Sequence, residues 1–218
     1  MKLPKDANKN PDILMQDIKP GELGDSYFFS AIAALATNPN RIKQLFPNTT
    51  INNSGVFEVK AYVHGNPTSI LLDDYFVYKG KKSSEESNEE VKPELAFARI
   101  NEATGNLWPL LLEKAWAKVN TNYENISAGN CTEAFEFLSP APYSTIYHNV
   151  HQDIAFQSIK NAIDKNYIVC CDITAPGNSK EFNRLKALGL ITNHSYYVLE
   201  TAVLSDIKGE KIDRKSVV

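Results

Sequence analysis

No stretch of this 218-residue chain stays apolar for long. The longest such run, Ala31 to Ala36 with Phe28 and Phe29 before it, falls well short of the roughly 20 residues that a membrane span requires. No membrane-spanning helix is therefore expected. The first residues, Met-Lys-Leu-Pro-Lys-Asp, lack the apolar stretch of a signal peptide. Cysteine is scarce: there are three, and two of them, Cys170 and Cys171, are adjacent. That is no disulfide framework, and a reducing, cytoplasmic setting is expected. Sequons at Asn48, Asn125 and Asn193 carry no weight without a secretory route. An excess of positive charge is also missing, since 23 basic and 26 acidic residues leave a net charge of −3. Without a basic face, no nucleic-acid partner is expected.

The chain does have an ordinary globular composition, 43% hydrophobic and 22% charged, enough for one large domain or two small lobes. Residues 1–20 read as an irregular, solvated arm, with turn formers at Pro4, Asn10, Pro11 and Pro20. From Ser26 to Thr37 nearly every side is apolar, with small alanines between large residues, the pattern of a helix buried in a core. Asn38 and Pro39 are expected to end it. Val56 to Val63 and Ser69 to Tyr78 alternate as strands, with a turn expected at Gly65-Asn66-Pro67. Gly80 to Glu94 is polar and acidic, a surface loop or an acidic docking segment.

Asn106 to Val119 predicts an amphipathic helix with Pro109 in its first turn, and Thr132 to Leu138 a second. Pro140 and Pro142 mark a boundary, dividing a first lobe at 21–140 from a second at 141–218. In the second, Asp153 to Lys165 predicts a helix. Tyr167 to Ile173, His194 to Leu204 and a run from Lys211 to Val218 predict strands, with a turn at Asp206 to Glu210.

Two segments could carry chemistry. In Gly21-Glu22-Leu23-Gly24-Asp25-Ser26-Tyr27-Phe28, a turn with two glycines feeds a buried helix and leaves Ser26 near its first residue. Free backbone N–H groups and the positive helix end point there, an arrangement that would stabilise a thiolate. The plainer reading is that Asp25 or Ser26 caps the helix. In Thr192-Asn193-His194-Ser195-Tyr196, a histidine opens a strand and could act as a general base. It follows Ser26 by 194 − 26 = 168 residues, which suits groups held on separate lobes. His64, His148 and His151 lack such a setting and read as surface residues.

Together these segments resemble the calpain family. Asp17-Ile18 followed by Gly21-x-Leu23-Gly24-Asp25-x-aromatic resembles its catalytic motif. Leu107-Trp108-Pro109-Leu110-Leu111-Leu112-Glu113-Lys114-Ala115-Trp116-Ala117-Lys118 is similar to its long helix. Tyr123-Glu124, Gly129 and Glu133-Ala134 resemble the segment that follows, and Asn193-His194-Ser195-Tyr196 the surroundings of its catalytic histidine. The resemblance implies an α+β, papain-like fold, with a helical lobe carrying the nucleophile, a β-rich lobe carrying the histidine, and substrate in the cleft between. In that chemistry a thiolate attacks a peptide carbonyl, the histidine protonates the leaving amine, and an asparagine orients the imidazole.

This sequence departs from the pattern in four places. Ser26 stands at the nucleophile position, and a hydroxyl is a far weaker nucleophile than a thiolate. Pro20 stands where the resemblance implies an oxyanion-hole glutamine, and proline offers no side-chain donor and no N–H. The expected asparagine is not reached before Val218, so the second lobe reads as incomplete. Asp17 matches an acidic calcium ligand, but its expected partner, two residues before Trp108, is Asn106, which weakens an oxygen-ligand site. The leading expectation is an inactive protease relative with no cofactor and with calcium control in doubt, holding a protein or peptide in its cleft. The resemblance places such modules in cytoskeletal and flagellar proteins. The alternatives are a cysteine endopeptidase silenced by a Cys-to-Ser change, or a serine hydrolase using Ser26 and His194.

Overall fold

The computed structural model describes residues 13–48, 54–79, 94–147, 152–175 and 177–205, with the backbone of 211–217. At its centre lies α1 (Ser26–Ala36), in which every residue from Tyr27 to Ala36 is buried. Its alanines let neighbouring elements approach, and its large residues fill the space between them. Phe28, fully buried, stacks parallel on Trp116 with ring centroids 5.8 Å apart. Trp116 belongs to α3 (Trp108–Val119), where Pro109 occupies the first turn as expected. Phe137 of α4 (Cys131–Leu138) completes this aromatic cluster, 4.9 Å from Trp116. Helix α4 is capped by Asn130, whose side chain accepts the amides of Thr132 and Glu133. The buried core is drawn almost wholly from residues 27–138, with Ile168 and Cys170 packed against it.

Between α1 and α3 lie α2 (Pro39–Lys43), β1 (Val56–Val63) and β2 (Asn66–Asp73). Asn38 and Pro39, expected only to end a helix, also start one. The Asn38 side chain accepts the Asn40 amide at 3.1 Å, and proline is tolerated in a first helical turn. The β1–β2 turn sits one residue earlier than the sequence implies. Val63 pairs with Asn66, so the loop is His64-Gly65, with φ of 50° and 76°. Two positive φ values give a turn whose twist matches a hairpin, and Pro67 falls inside β2, as an edge position allows. His64 is exposed at that turn.

Beyond residue 147 come α5 (Gln152–Asp164), β3 (Cys170–Ile173), α6 (Ser179–Ala187), β4 (His194–Tyr197), β5 (Glu200–Ser205) and β6 (Lys211–Val217). Among the described residues the sheets are two-stranded and antiparallel: β1–β2, β3–β4 and β5–β6. The fold class is α+β, as the sequence implies. The single strand expected from His194 to Leu204 is two, because its halves pair with different partners. Helix α6, capped by Asn178 on the Glu181 amide, is an addition to the expected elements.

The arm expected over residues 1–20 is described only from Ile13, and that part is not merely solvated. Met15–Asp17 form a 3-10 turn, Ile13, Met15 and Ile18 pack on the core, and Asp17 is fully buried. The acidic segment at 80–93, the turn at 206–210, and His148 and His151 lie outside the described residues.

Candidate functional site

The approach to α1 depends on two close contacts. A Cβ on Gly21 would lie 2.3 Å from the Phe97 carbonyl oxygen, and one on Gly24 would lie 2.4 Å from that of Ser127. Only glycine lets the backbone run so near its neighbours. The chain thus arrives with Ser26 as the first residue of α1, half-buried at the positive helix end. Asp25 occupies the capping position, yet its side chain makes no capping bond. Its backbone carbonyl accepts the amides of Phe28 and Phe29 instead, at 2.9 and 3.2 Å. Capping therefore does not account for the Asp25 carboxyl.

That carboxyl is buried beside Glu113 of α3, whose Oε2 accepts the Ala98 amide at 3.0 Å. Burial raises the pKa of both carboxyls, making them weaker acids, and for Glu113 the negative charge of Asp25 adds to the effect. Two adjacent carboxylates in so dry a place cannot both ionise, so the pair retains a proton at neutral pH. The Tyr27 hydroxyl lies nearby, donating to the Ile126 carbonyl at 3.1 Å and accepting the Trp116 indole N–H at 3.0 Å. Burial pushes this phenol up to about 12.

His194 opens β4. Asn193 before it has a φ of 53°, a left-handed geometry that asparagine tolerates, and its Oδ1 accepts the Ala175 amide at 2.9 Å. The half-buried His194 ring packs edge-on against Tyr196, with centroids 4.8 Å apart. Among the described residues, no hydrogen bond engages its imidazole. The structure brings β4 onto α1 through the next residue, Ser195. Its amide donates to Ser26 Oγ at 3.3 Å, and its carbonyl accepts the Ser30 hydroxyl at 2.6 Å. Its own hydroxyl donates to Asp172 Oδ1 at 2.5 Å. The same Asp172 oxygen accepts the Cys131 thiol at 3.1 Å, so α1, α4, β3 and β4 meet at one point.

Pro20, at the expected oxyanion position, is exposed and offers no donor. Two of the three thiols near this junction are held in the protonated form. Cys131 is buried, and its thiol is pushed far above the ordinary range, first by hydrogen bonding with Cys170 and then by burial. Cys171 is pushed up to about 11, chiefly by burial. A thiol reacts as its thiolate, which these surroundings oppose.

Asp17, the expected acidic metal position, is tied by protein donors on both carboxylate oxygens. Oδ1 accepts the Thr104 hydroxyl at 2.6 Å. Oδ2 accepts the Leu14 amide, the Asn106 side-chain amide and the Trp108 indole N–H at 3.0, 2.9 and 2.9 Å. No cluster of three or more His, Cys, Asp or Glu residues among the described ones is placed to hold a metal ion.

Sequence reasoning overlooked Ser30, Glu113, Asp172 and Ser195 as members of this site. Two of them carried a signal. Ser30 is four residues past Ser26, on the same helix face, and Glu113 is an acid inside an otherwise apolar helical stripe.

The model of the calpain family of cysteine proteases matches residues 2–213. The chain is 25% identical to human (Homo sapiens) calpain-9 over 97% of its own length and 30% of the relative's. It is 28% identical to the calpain-1 catalytic subunit of Mus musculus, over 90% of this chain and 27% of that one. The Mus musculus calpain-2 catalytic subunit is 29% identical over 84% of this chain and 24% of its own length. The chain thus spans less than a third of each of these relatives.

Proposed function

The chain belongs to the calpain family of cysteine proteases, matched over residues 2–213, and from that premise we propose that it is a member without proteolytic chemistry. On this reading it keeps the cleft as a seat for a protein or peptide segment. The observation that carries the reading is the state of Ser26. Its hydroxyl accepts a backbone amide of β4 at 3.3 Å, and no hydrogen bond to the His194 imidazole activates it. A serine needs such a base to become a nucleophile.

Pro20 adds a second, independent loss. Removing one oxyanion donor costs on the order of 100- to 1000-fold in rate, and a change of Ser26 alone would not repair it. Cys131 and Cys171, held in the protonated form, do not take the place of the missing thiolate. What remains favourable is the frame: the glycine-lined entry, the helix end and the docked β4 strand. A frame of that kind suits binding, and the resemblance places it with cytoplasmic, cytoskeletal or flagellar scaffolds.

The test is peptide hydrolysis by the wild type, by Ser26→Cys, and by Ser26→Cys combined with Pro20→Gln, with folding checked by circular dichroism. No cleavage by any of the three is expected. Cleavage by Ser26→Cys alone would establish a working protease silenced at one atom and end this proposal. Labelling of wild-type Ser26 by a fluorophosphonate would end it in favour of a serine hydrolase.

A further inference from the structure

The resemblance assigns a calcium ion to the place where Asp17 and the residue two before Trp108 meet. The residues present there do not fit one. Calcium takes about six to eight oxygen ligands at ~2.3–2.6 Å, carboxylates foremost. Here the second carboxylate is replaced by Asn106, and the first is already engaged.

Asp17 receives four protein donors, unevenly shared between its two carboxylate oxygens. The Leu14 amide, the Asn106 amide and the Trp108 indole bind one oxygen, and the Thr104 hydroxyl binds the other. Their hydrogens point positive ends at the carboxylate oxygens that a cation would need. The Asn106 amide could rotate to offer an oxygen, but the backbone N–H of Leu14 and the indole N–H of Trp108 cannot reverse polarity. All this happens out of water, since Asp17, Asn106 and Trp108 are buried. An unpaired carboxylate in such a place would be costly, and one held by four donors is satisfied.

The same two stretches are laced together on either side of the knot. The Asn101 side chain donates to the Gln16 carbonyl at 2.9 Å, and the Arg99 amide donates to the Lys19 carbonyl at 2.8 Å. Lys19 is followed directly by Pro20 and the glycine turn into Ser26. We propose that a metal-free hydrogen-bond knot centred on Asp17 replaces calcium in this chain. It sets the path from Ile13 to Ser26 permanently, so the geometry around Ser26 does not respond to calcium. The inference goes beyond the binding-module reading and stands whether or not Ser26 can react.

The chain has two tryptophans, so a 15N-labelled sample gives two indole N–H signals, assigned by sequential connectivities. The experiment follows the Trp108 indole signal and its hydrogen exchange in EGTA, and then as calcium chloride is raised to several millimolar. A signal already protected in EGTA and unmoved by calcium is the expected result. A saturable calcium-dependent shift of this signal, or protection that appears only with calcium, would overturn the proposal. Asp17→Asn is expected to speed exchange of the Trp108 indole by about tenfold or more, with calcium unable to restore it. Unchanged exchange in a folded Asp17→Asn variant would also overturn it. If that variant does not fold, the wild-type titration alone decides.

Discussion

Ser26 Oγ and the Ser195 amide meet at 3.3 Å across 169 residues of chain. This contact places β4 on the first turn of α1 and sets His194 at its margin. The Ser30 hydroxyl repeats the link one helical turn later, on the Ser195 carbonyl. Ser195 is buried and bonded through its amide, its carbonyl and its hydroxyl. The alignment of the two elements therefore rests on a residue that is neither a nucleophile nor a base.

Ser30→Ala should loosen that alignment. It leaves a buried carbonyl without its side-chain donor, at a cost of about 1–3 kcal/mol. Urea unfolding would register this as a lower midpoint with an unchanged slope. A variant within about 0.5 kcal/mol of the wild type, the range of an inconsequential surface change, would mean the bond contributes nothing.

The Asp25–Glu113 pair predicts a stability that declines with pH. Both carboxyls have folded-state values raised above their unfolded ones. The native state therefore holds more protons than the unfolded chain once pH exceeds the ordinary carboxylate range of about 4. The associated stability is complete below that range and is lost as pH rises through the raised values, across neutrality. The neighbouring phenols of Tyr27 and Tyr123 are also raised by burial and stay protonated over this span. Glu113→Gln removes one partner of the pair, so its stability should fall less steeply with pH, by up to ~1.4 kcal/mol per unit. Equal slopes in parallel urea titrations would refute the shared proton.

Gly24→Ala and Gly177→Ala form a matched pair. A methyl at Gly24 would sit 2.4 Å from a backbone oxygen, whereas at Gly177 nothing lies within 4 Å. The first should destabilise by about 1–3 kcal/mol through overpacking, and the second should be near neutral. Thermal unfolding of the two proteins side by side distinguishes them, and similar melting temperatures would contradict the close approach at Gly24.

Thiol labelling should be slowest at Cys131. It is 4% exposed and donates an S–H hydrogen bond to Asp172, which opposes the reactive thiolate. Under native conditions a disulfide reagent should reach Cys131 only through unfolding, while in denaturant all three cysteines should react alike. Native labelling of Cys131 as fast as in denaturant would exclude the buried setting described above.

Phe28→Ala tests the central stack. Removing a fully buried ring that lies parallel to Trp116 should cost about 3–5 kcal/mol. A loss below ~1 kcal/mol would show that the aromatic cluster collapses around the gap.

How much of this was legible in advance depends on the range of the interaction. Helices α1 and α3 were plain because their signals are local: an apolar run with small residues, an apolar stripe at helical spacing, and a proline in a first turn. The α+β class and the family followed from the same segments. The hairpin turn was misplaced by one residue because Gly65-Asn66-Pro67 is rich in turn formers, whereas the cross-strand pairing of Val63 with Asn66 decided the loop. Asp25 looked like a cap because its position is one.

By itself, then, the chain determined its periodic elements, its two chemical segments and the departures at Ser26, Pro20 and Asn106, all of which are properties of neighbours in sequence. Only the tertiary structure decided what the polar groups bond to. Asp17 turned to Leu14, Thr104, Asn106 and Trp108, and Ser26 to Ser195, while Asp25 was buried beside Glu113. A buried polar group takes a partner wherever the fold supplies one, and apart from Leu14 those partners lie 87 to 169 residues away, beyond the reach of any local pattern.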